Sequence, residues 1–450
     1  MSRRGARGEA VGRAWNPERG TRLYAVPDPA IAVLTTLIFC ISGGLLWTLG
    51  INYDGLTGSA AQKIHPATYL AVLLLAWSLV RAGNPVANAV AILEHRPASV
   101  FLGLMGTALA VQISLRGGAG IAGAIDTFVL PGLVMILLAG CDARGRARLE
   151  TLVHALMAAN AGLGIVEFVT GQRFFPFRLD GMLLENDTRS VSLQGHPLTN
   201  ATLTACYVIA LAAGGGSLRP LRRLAMLGVQ LVALVTFGGR SAIVVTLALG
   251  GGLAALGLVR TVARGRIPLL AVAGAAFAVP LFALALAGLV ASGFFDALMA
   301  RFVNDGGSAN ARVLVLELFN RLSWRELVVG PDPTVIDSLR RINGLALGLE
   351  NPIVRIVLYQ GAIMTGLLTV AVALFLVEVA RRCRPGIAMP MIAFVFLINT
   401  YESLGGKTTL VAKFAILLVA LYRPRPPGPG PEPGVVRAPH PRAERAGRGR

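Results

Sequence analysis

SGFFDALMARFVNDGGSANARVLVLELFNRLSWRELVVGPDPTVIDSLRRINGLALGLE, residues 292–350, interrupts an otherwise continuous succession of apolar segments. It carries seven acidic and six basic side chains, whereas most other connections are a few residues long. Inside it, Arg312, Val313, Leu316, Phe319, Leu322 and Trp324 alternate at helical spacing with Glu317, Asn320, Arg321, Arg325 and Glu326. This pattern predicts one amphipathic helix over 310–329, lying on a leaflet or on the rest of the protein. Gly330-Pro331-Asp332-Pro333 stops it, and a second short helix follows at about 334–341. A chain that exposes one large charged loop is expected to work at that face.

Outward from this loop the chain is apolar. Hydrophobic residues make up 54% and charged residues only 14%, with a mean hydropathy of +0.66; a soluble chain carries about 25% charged residues. Runs of about 20 apolar residues read as membrane-crossing helices. The runs fall at roughly 30–50, 66–81, 98–115, 119–141, 151–170, 197–214, 221–237, 241–260, 267–291, 352–380, 387–400 and 407–422. The expected fold is therefore an all-α polytopic membrane protein of about 12 transmembrane helices. The strands of a membrane β-barrel, about 10 residues long and alternating in polarity, do not match.

The arginines set the expected topology. Every second hinge is basic: Arg81 and Arg96; Arg144, Arg146 and Arg148; Arg219, Arg222 and Arg223; Arg260, Arg264 and Arg266; Arg381, Arg382 and Arg384. With the two termini these segments hold 27 of the 42 Lys+Arg, and the short alternate connections keep about one each. Both termini are thus expected in the cytoplasm, with 171–195 and 292–350 outside. The division is a disordered basic tail (1–29), nine transmembrane helices (30–291), the outer loop (292–350), three further helices (351–422) and a disordered tail (423–450). The net charge of +19 is a topology signal directed at the anionic inner leaflet, and no nucleic-acid partner is expected. Residues 30–50 make a poor signal peptide, because their apolar run is long and Ser59-Ala60-Ala61 lies too far on.

Chemistry-bearing motifs are few. Cys40, Cys141, Cys206 and Cys383 read as small buried hydrophobes. There is no zinc-type Cys/His spacing, Walker A loop or dinucleotide fingerprint, so no metal and no cofactor are expected. Three outer stretches stand out. The first, Asp187-Thr188-Arg189 with Gly195-His196-Pro197, offers an anion-binding arginine and a histidine at a helix start, or simply a loop arginine and a helix-start signal. The second, Phe237-Gly238-Gly239-Arg240-Ser241, is a tight hairpin. It holds a guanidinium at the interface, suited to phosphate or to snorkelling. The third is the long loop, where Arg312 opens the amphipathic stretch and Glu350 precedes Asn351-Pro352. A carboxylate there is either helix-capping chemistry or a catalytic base.

In this order, on this topology, the motifs resemble the O-antigen polymerase/ligase-like superfamily (Wzy/WaaL), and within it the VpsF-like exopolysaccharide-biosynthesis branch. The resemblance covers about residues 30–422. It implies a GT-C-like, metal-independent glycosyltransferase of the bacterial inner membrane. Its substrate would be a glycan carried on undecaprenyl diphosphate, joined to another glycan at the periplasmic face; a chain-length regulator would be a further partner. Residue by residue, Arg189, Arg240 and Arg312 match the diphosphate-binding arginines. Glu350-Asn351 stands where ligases show His-Asn, and 292–350 contains no histidine. The departure leaves Glu350 or His196 as the catalytic base and favours a polymerase over a ligase. The competing class is a flippase for the same lipid, for which Asp126, Glu167 and Glu378 are the ionisable candidates inside apolar segments. A non-enzymatic scaffold leaves the Arg240 hairpin without a role.

Overall fold

The computed structural model describes residues 26–265 and 308–422, apart from 56, 119, 180, 184–188, 346–348, 350 and 402, together with scattered positions between 284 and 299. The chain is mostly helical. Among the described residues the only strands are a two-residue antiparallel pair, β1 (Arg178–Leu179) and β2 (Met182–Leu183). The expected crossing at 267–291 and both tails lie almost wholly outside the described residues.

Among the described residues, six helices are long and apolar enough to cross a membrane, or seven if one bent pair counts as a span. In chain order the first elements are α1 (Asp28–Cys40), α2 (Gly43–Thr48), α3 (Pro66–Arg81), α4 (Pro85–His95) and α5 (Pro97–Leu115). Then come α6 (Ile121–Ala139), α7 (Ala143–Thr170), α8 (Pro197–Ala212), α9 (Pro220–Phe237) and α10 (Arg240–Ala263). The long apolar helices are α5, α6, α7, α9, α10 and α15 (Ala362–Arg381); α3 and α4 are the bent pair, with axes 120° apart. The remaining elements are α11 (Ser308–Phe319), α12 (Trp324–Val329), α13 (Pro333–Ile342), α14 (Pro352–Gln360), α16 (Ala388–Ile398) and α17 (Leu410–Leu421). The other expected crossings fall on helices that are short or broken. The first is cut at Ile41-Ser42, where the Ser42 side chain caps α2. The tenth keeps the long helix α15, but only after a cut at Gly361, whose φ of +86° no helix continues through.

Proline starts many of these helices. Pro66, Pro85, Pro197, Pro333 and Pro352 each follow a residue whose side chain accepts backbone N–H groups: His65, Asn84, His196, Asp332 and Asn351. A first-turn proline costs nothing there, because its missing N–H has no partner to lose.

The core is centred on α8 and α17. Fourteen of the sixteen residues of α8 and eleven of the twelve of α17 are buried. They pack on each other and against α6, α7, α9 and α16, with Phe394 stacked on Phe414 at 3.8 Å between centroids. The peripheral helices expose aliphatic side chains, such as Val244 and Leu247 on α10 and Leu104 and Val111 on α5. Such faces suit lipid.

The described connections sort into two sets by their contacts. At one end Arg148 pairs with Asp28 (3.0 Å), Arg96 with Glu378 (3.6 Å), and Arg384 donates to the Gly214 and Leu421 carbonyls. At the other, 49–65 meets 399–409 through Lys407 and Asp54 (3.4 Å), and Arg116 donates to Tyr359 O (3.3 Å) and Val329 O. The described parts of the loop motifs lie at this second end.

The predicted helix over 310–329 is two helices. Ser323 and Glu326 form a reciprocal capping box that starts α12 after a break at 320–323. Val315, Leu318, Leu322, Ile336, Leu345, Leu349 and Leu358 build a small core of their own on α14. This insert is thus seated on the rest of the protein.

Candidate functional site

The loop 171–196 is held from below by two side chains of α7. Glu167, 3% exposed, accepts from the amides of Phe174 (3.1 Å), Val191 (2.7 Å) and Ser192 (2.8 Å). Asn160 accepts from Ser192 Oγ (2.7 Å) on its carbonyl and from Leu193 N (3.2 Å) on Oδ1, and donates to Asn200 Oδ1 (2.9 Å). Together they fix Ser192 at φ +46°, a left-handed conformation that a serine adopts only when its surroundings impose it. Arg189 and His196 sit at the two ends of this clamped turn. Glu167 is therefore a loop organiser, which takes it off the list of charges free to line a translocation path.

Arg189 is half-buried and its carbonyl accepts from Arg173 Nε (3.0 Å). The next residue, Ser190, donates its amide to Thr236 O (3.2 Å) and its hydroxyl to Gly164 O (2.7 Å). Thr236 lies in the last turn of α9, immediately before the Gly-Gly-Arg hairpin. Gly238 closes α9 at φ +62°, and a Cβ on Gly239 would lie 2.5 Å from Ala201 Cβ of α8. Two glycines therefore have distinct duties: one turns the chain, the other lets α10 start against α8. The hairpin brings Arg240 to the α8 side, beside the helix that His196 caps.

His196 Nδ1 faces the amides of Leu198 (3.2 Å) and Thr199 (3.4 Å). Both are donors, so Nδ1 is the acceptor and a ring proton resides on Nε2. Phe177 meets the ring edge-on at 4.5 Å and Tyr401 stacks on it at 6.0 Å. In this arrangement the imidazole presents an N–H, which suits it to donate to an anion.

Arg240 and Ser241 open onto a groove of about 490 Å³ whose other walls are Val244, Val245, Ala248, Leu249, Ile392 and Phe396. One end is a guanidinium and a hydroxyl, and the rest is aliphatic or aromatic. A π-turn over Thr246–Gly250 reshapes the α10 wall, with Thr246 Oγ1 bonded back to Ala242 O (2.7 Å). The shape and chemistry suit an amphiphile with an anionic head.

A second polar group at this end is one that the motifs did not reveal. Asp126 sits in a π-turn (Ile125–Val129), fully buried. It accepts from Tyr53 OH (3.1 Å), Thr68 Oγ1 (2.8 Å) and the His65 amide (3.0 Å to Oδ2). Lys407 lies over the Tyr53 ring, 3.1 Å from its centroid, pairs with Asp54 (3.4 Å), and donates to Tyr53 O and Lys63 O. Burial pushes the Asp54 carboxyl up, opposed by Lys407, and pushes the Lys407 ammonium down, opposed by Asp54 and Asp126. The sequence marked Asp126 as an acid inside an apolar segment, but for its neighbours the signal was only rarity: Lys407 is one of three lysines in the chain. Glu378 lies at the opposite end, where it caps α5 through Ala98 N (2.8 Å) and Ser99 Oγ (2.7 Å) beside Arg96.

The two remaining candidates are less visible. Arg312 lies in α11, but its side chain and the whole of Glu350 lie outside the described residues. The capping role open to Glu350 is filled by Asn351, whose Oδ1 accepts from Ile353 N (2.9 Å) and Val354 N (3.1 Å). Among the described residues no group of three or more His, Cys, Asp or Glu could hold a metal ion. No family model, no curated protein and no solved structure matches this chain.

Proposed function

We propose that this protein is a polysaccharide polymerase. It joins oligosaccharide repeat units carried on a polyprenyl diphosphate, at the periplasmic face of a bacterial inner membrane. The loop-motif end faces the periplasm, both termini lie in the cytoplasm, and the broken and short apolar helices complete about twelve passes. The observation that carries the reading is the groove that begins at Arg240: a fixed cation at the mouth of a lipid-facing apolar trough fits a prenyl diphosphate head to tail. Arg240 and Arg189, joined by Arg312, stabilise the charge that develops on the leaving diphosphate. His196 adds an N–H donor. A carboxylate takes the proton of the incoming hydroxyl, and Glu350 is the candidate from the sequence. The glycosyl transfer passes through an oxocarbenium-like state that needs no metal.

Purified protein given lipid-linked repeat units should lengthen them in EDTA. Activity that EDTA abolishes and Mg²⁺ restores would overturn the mechanism. In cells, deletion should leave single repeat units on carrier lipid in the outer leaflet, whereas loss of a ligase leaves long polymer on the carrier.

A flippase is the second reading, and one observation favours it. Lys413 stands in α17 at 2% exposure, and among the described residues nothing hydrogen-bonds or pairs with its ammonium. A buried charge inside an apolar helix marks many transport paths. Deletion would then trap single units in the inner leaflet.

A further inference from the structure

The proposed chemistry requires a proton acceptor, and among the described carboxylates that Tyr53, Lys407 and the clamped 171–196 loop gather around the His196 side, Asp54 is the one that is both open and unspent. Asp126 is used up by its three donors, and Glu167 by three amides. Asp54 keeps 24% of its side chain exposed and has a single charged partner, Lys407.

Two separate connections bring Asp54 to the His196 side of the site. The first is the α1–α2 break. A Cβ on Gly43 would lie 1.6 Å from Asp54 Oδ2, and a Cβ on Gly195 would lie 2.5 Å from Ser42 Cβ. Asp54 and the Gly195-His196 step therefore press on neighbouring residues of the same break. Gly44 continues this contact: its Cβ position lies 2.5 Å from Phe175 O, two residues before the Phe177 ring that meets His196. The second connection is the 399–409 loop, which carries both Tyr401, stacked on His196, and Lys407, paired with Asp54.

We propose that Asp54 is the general base, with Lys407 as the residue that positions it and keeps it ionised. This rests on the polymerase reading above. The acceptor hydroxyl oxygen forms a bond to the anomeric carbon as the bond to the diphosphate oxygen breaks. The diphosphate leaves with that electron pair, and the hydroxyl proton passes to the Asp54 carboxylate, which returns it to solvent through its open edge. The charged and titratable groups around the pair are Lys407, Lys63, Asp126, Tyr53 and His65. Of these, Lys407 is the one that bears on the Asp54 carboxyl and lowers it against burial. The base works ionised, so the rate rises as pH climbs through its pKa; removing the Lys407 charge raises that pKa and moves the acidic limb to higher pH.

The test uses full-length protein in nanodiscs, a lipid-linked repeat unit as donor, and rates followed across pH. Asp54→Asn should lose about 100-fold or more in turnover with donor binding retained, and Asp54→Glu should recover part of it. Lys407→Met should shift the acidic limb upward, while Lys407→Arg should leave it in place; a purely structural pair would not move the limb. An active wild type with an unimpaired Asp54→Asn variant, or an unshifted limb in Lys407→Met, overturns the assignment alone. A wild type that transfers no sugar from any lipid-linked donor overturns the polymerase reading, and this assignment with it.

Discussion

The amide of Ser190 donates to the carbonyl of Thr236 at 3.2 Å, and this bond ties the residue after Arg189 to the helix turn that leads into Arg240. Two arginines some fifty positions apart in the chain are thereby set on one rigid edge. If both grip one diphosphate, each Arg→Ala change should lower turnover about 10²–10³-fold. The double variant should lose less than the product of the single losses. Arg240→Lys should recover only a part, because an ammonium lacks the planar fork. Rates of chain extension on a defined lipid-linked donor measure all three; fully multiplicative losses would argue for two separate ligands.

Gly239 should tolerate no side chain unless Ala201 gives way, since a methyl there lies 2.5 Å from Ala201 Cβ. Gly239→Ala is expected to cost about 1–3 kcal/mol, and adding Ala201→Gly should restore most of that. Thermal unfolding in detergent and the extension rate should recover together. A double variant no better than the single one would mean that the collision is relieved elsewhere.

The sequence made much of this architecture legible, for reasons that differ from residue to residue. The glycine pair at 238–239 announced a tight hairpin because no other residue type turns so sharply, and the structure supplies both reasons for it. The Pro197 and Pro352 starts were visible because proline at a first helical position is a local signal. The break at 320–323 was readable in principle, from Ser323 and Glu326, but the amphipathic pattern running through it concealed the capping box. The Asp54–Lys407 pair was not readable at all. Its members stand about 350 positions apart, and only the folding of 49–65 onto 399–409 joins them. The double duty of Glu167 was hidden for the same reason: in one dimension it is an acid near a helix end.

Glu167→Ala should strand two buried amides, Val191 and Ser192, and the part-buried amide of Phe174. An unsatisfied buried donor costs about 1–3 kcal/mol, so the variant should be among the least stable in the loop. Glu167→Gln, which keeps one acceptor oxygen, should be milder. Limited proteolysis should cut within 171–196 of the Ala variant before the rest of the protein opens, and sugar transfer should fail in parallel. Simultaneous, global loss of structure would contradict a local role.

The insert on α14 should respond to acid. A hydrogen bond from Ser323 holds Glu326 below its ordinary 4.5, and one from Thr334 holds Asp332 below its ordinary 3.8. Depressed values mean that the stabilisation is present above those ordinary values and is lost as pH falls through the lower, folded ones. Intrinsic-rate-corrected amide exchange over 324–342 should therefore rise once the pH drops below about 4. Glu326→Gln with Asp332→Asn should already exchange fast at neutral pH and change little on acidification.

Lys413 separates the two functional classes. In a polymerase its burial is only a cost, and Lys413→Met should raise the unfolding temperature, by about 1 kcal/mol or more in stability, while extension continues. In a flippase the same change should block translocation of a fluorescent carrier lipid across proteoliposomes. Extension without translocation supports the polymerase; lost translocation in this variant supports the flippase.

The burial of α8 also bears on how the protein is made. Its inner turns carry Asn200, Thr202 and Thr204, all of them shielded by other helices. A chain halted at Ala212 would present those side chains to lipid, where each is disfavoured. The helix that carries His196 therefore depends for its membrane residence on α9, α16 and α17, which emerge from the ribosome after it. Biogenesis of this site is a late, cooperative event, and damage to the C-terminal helices should be felt first as a failure to retain α8.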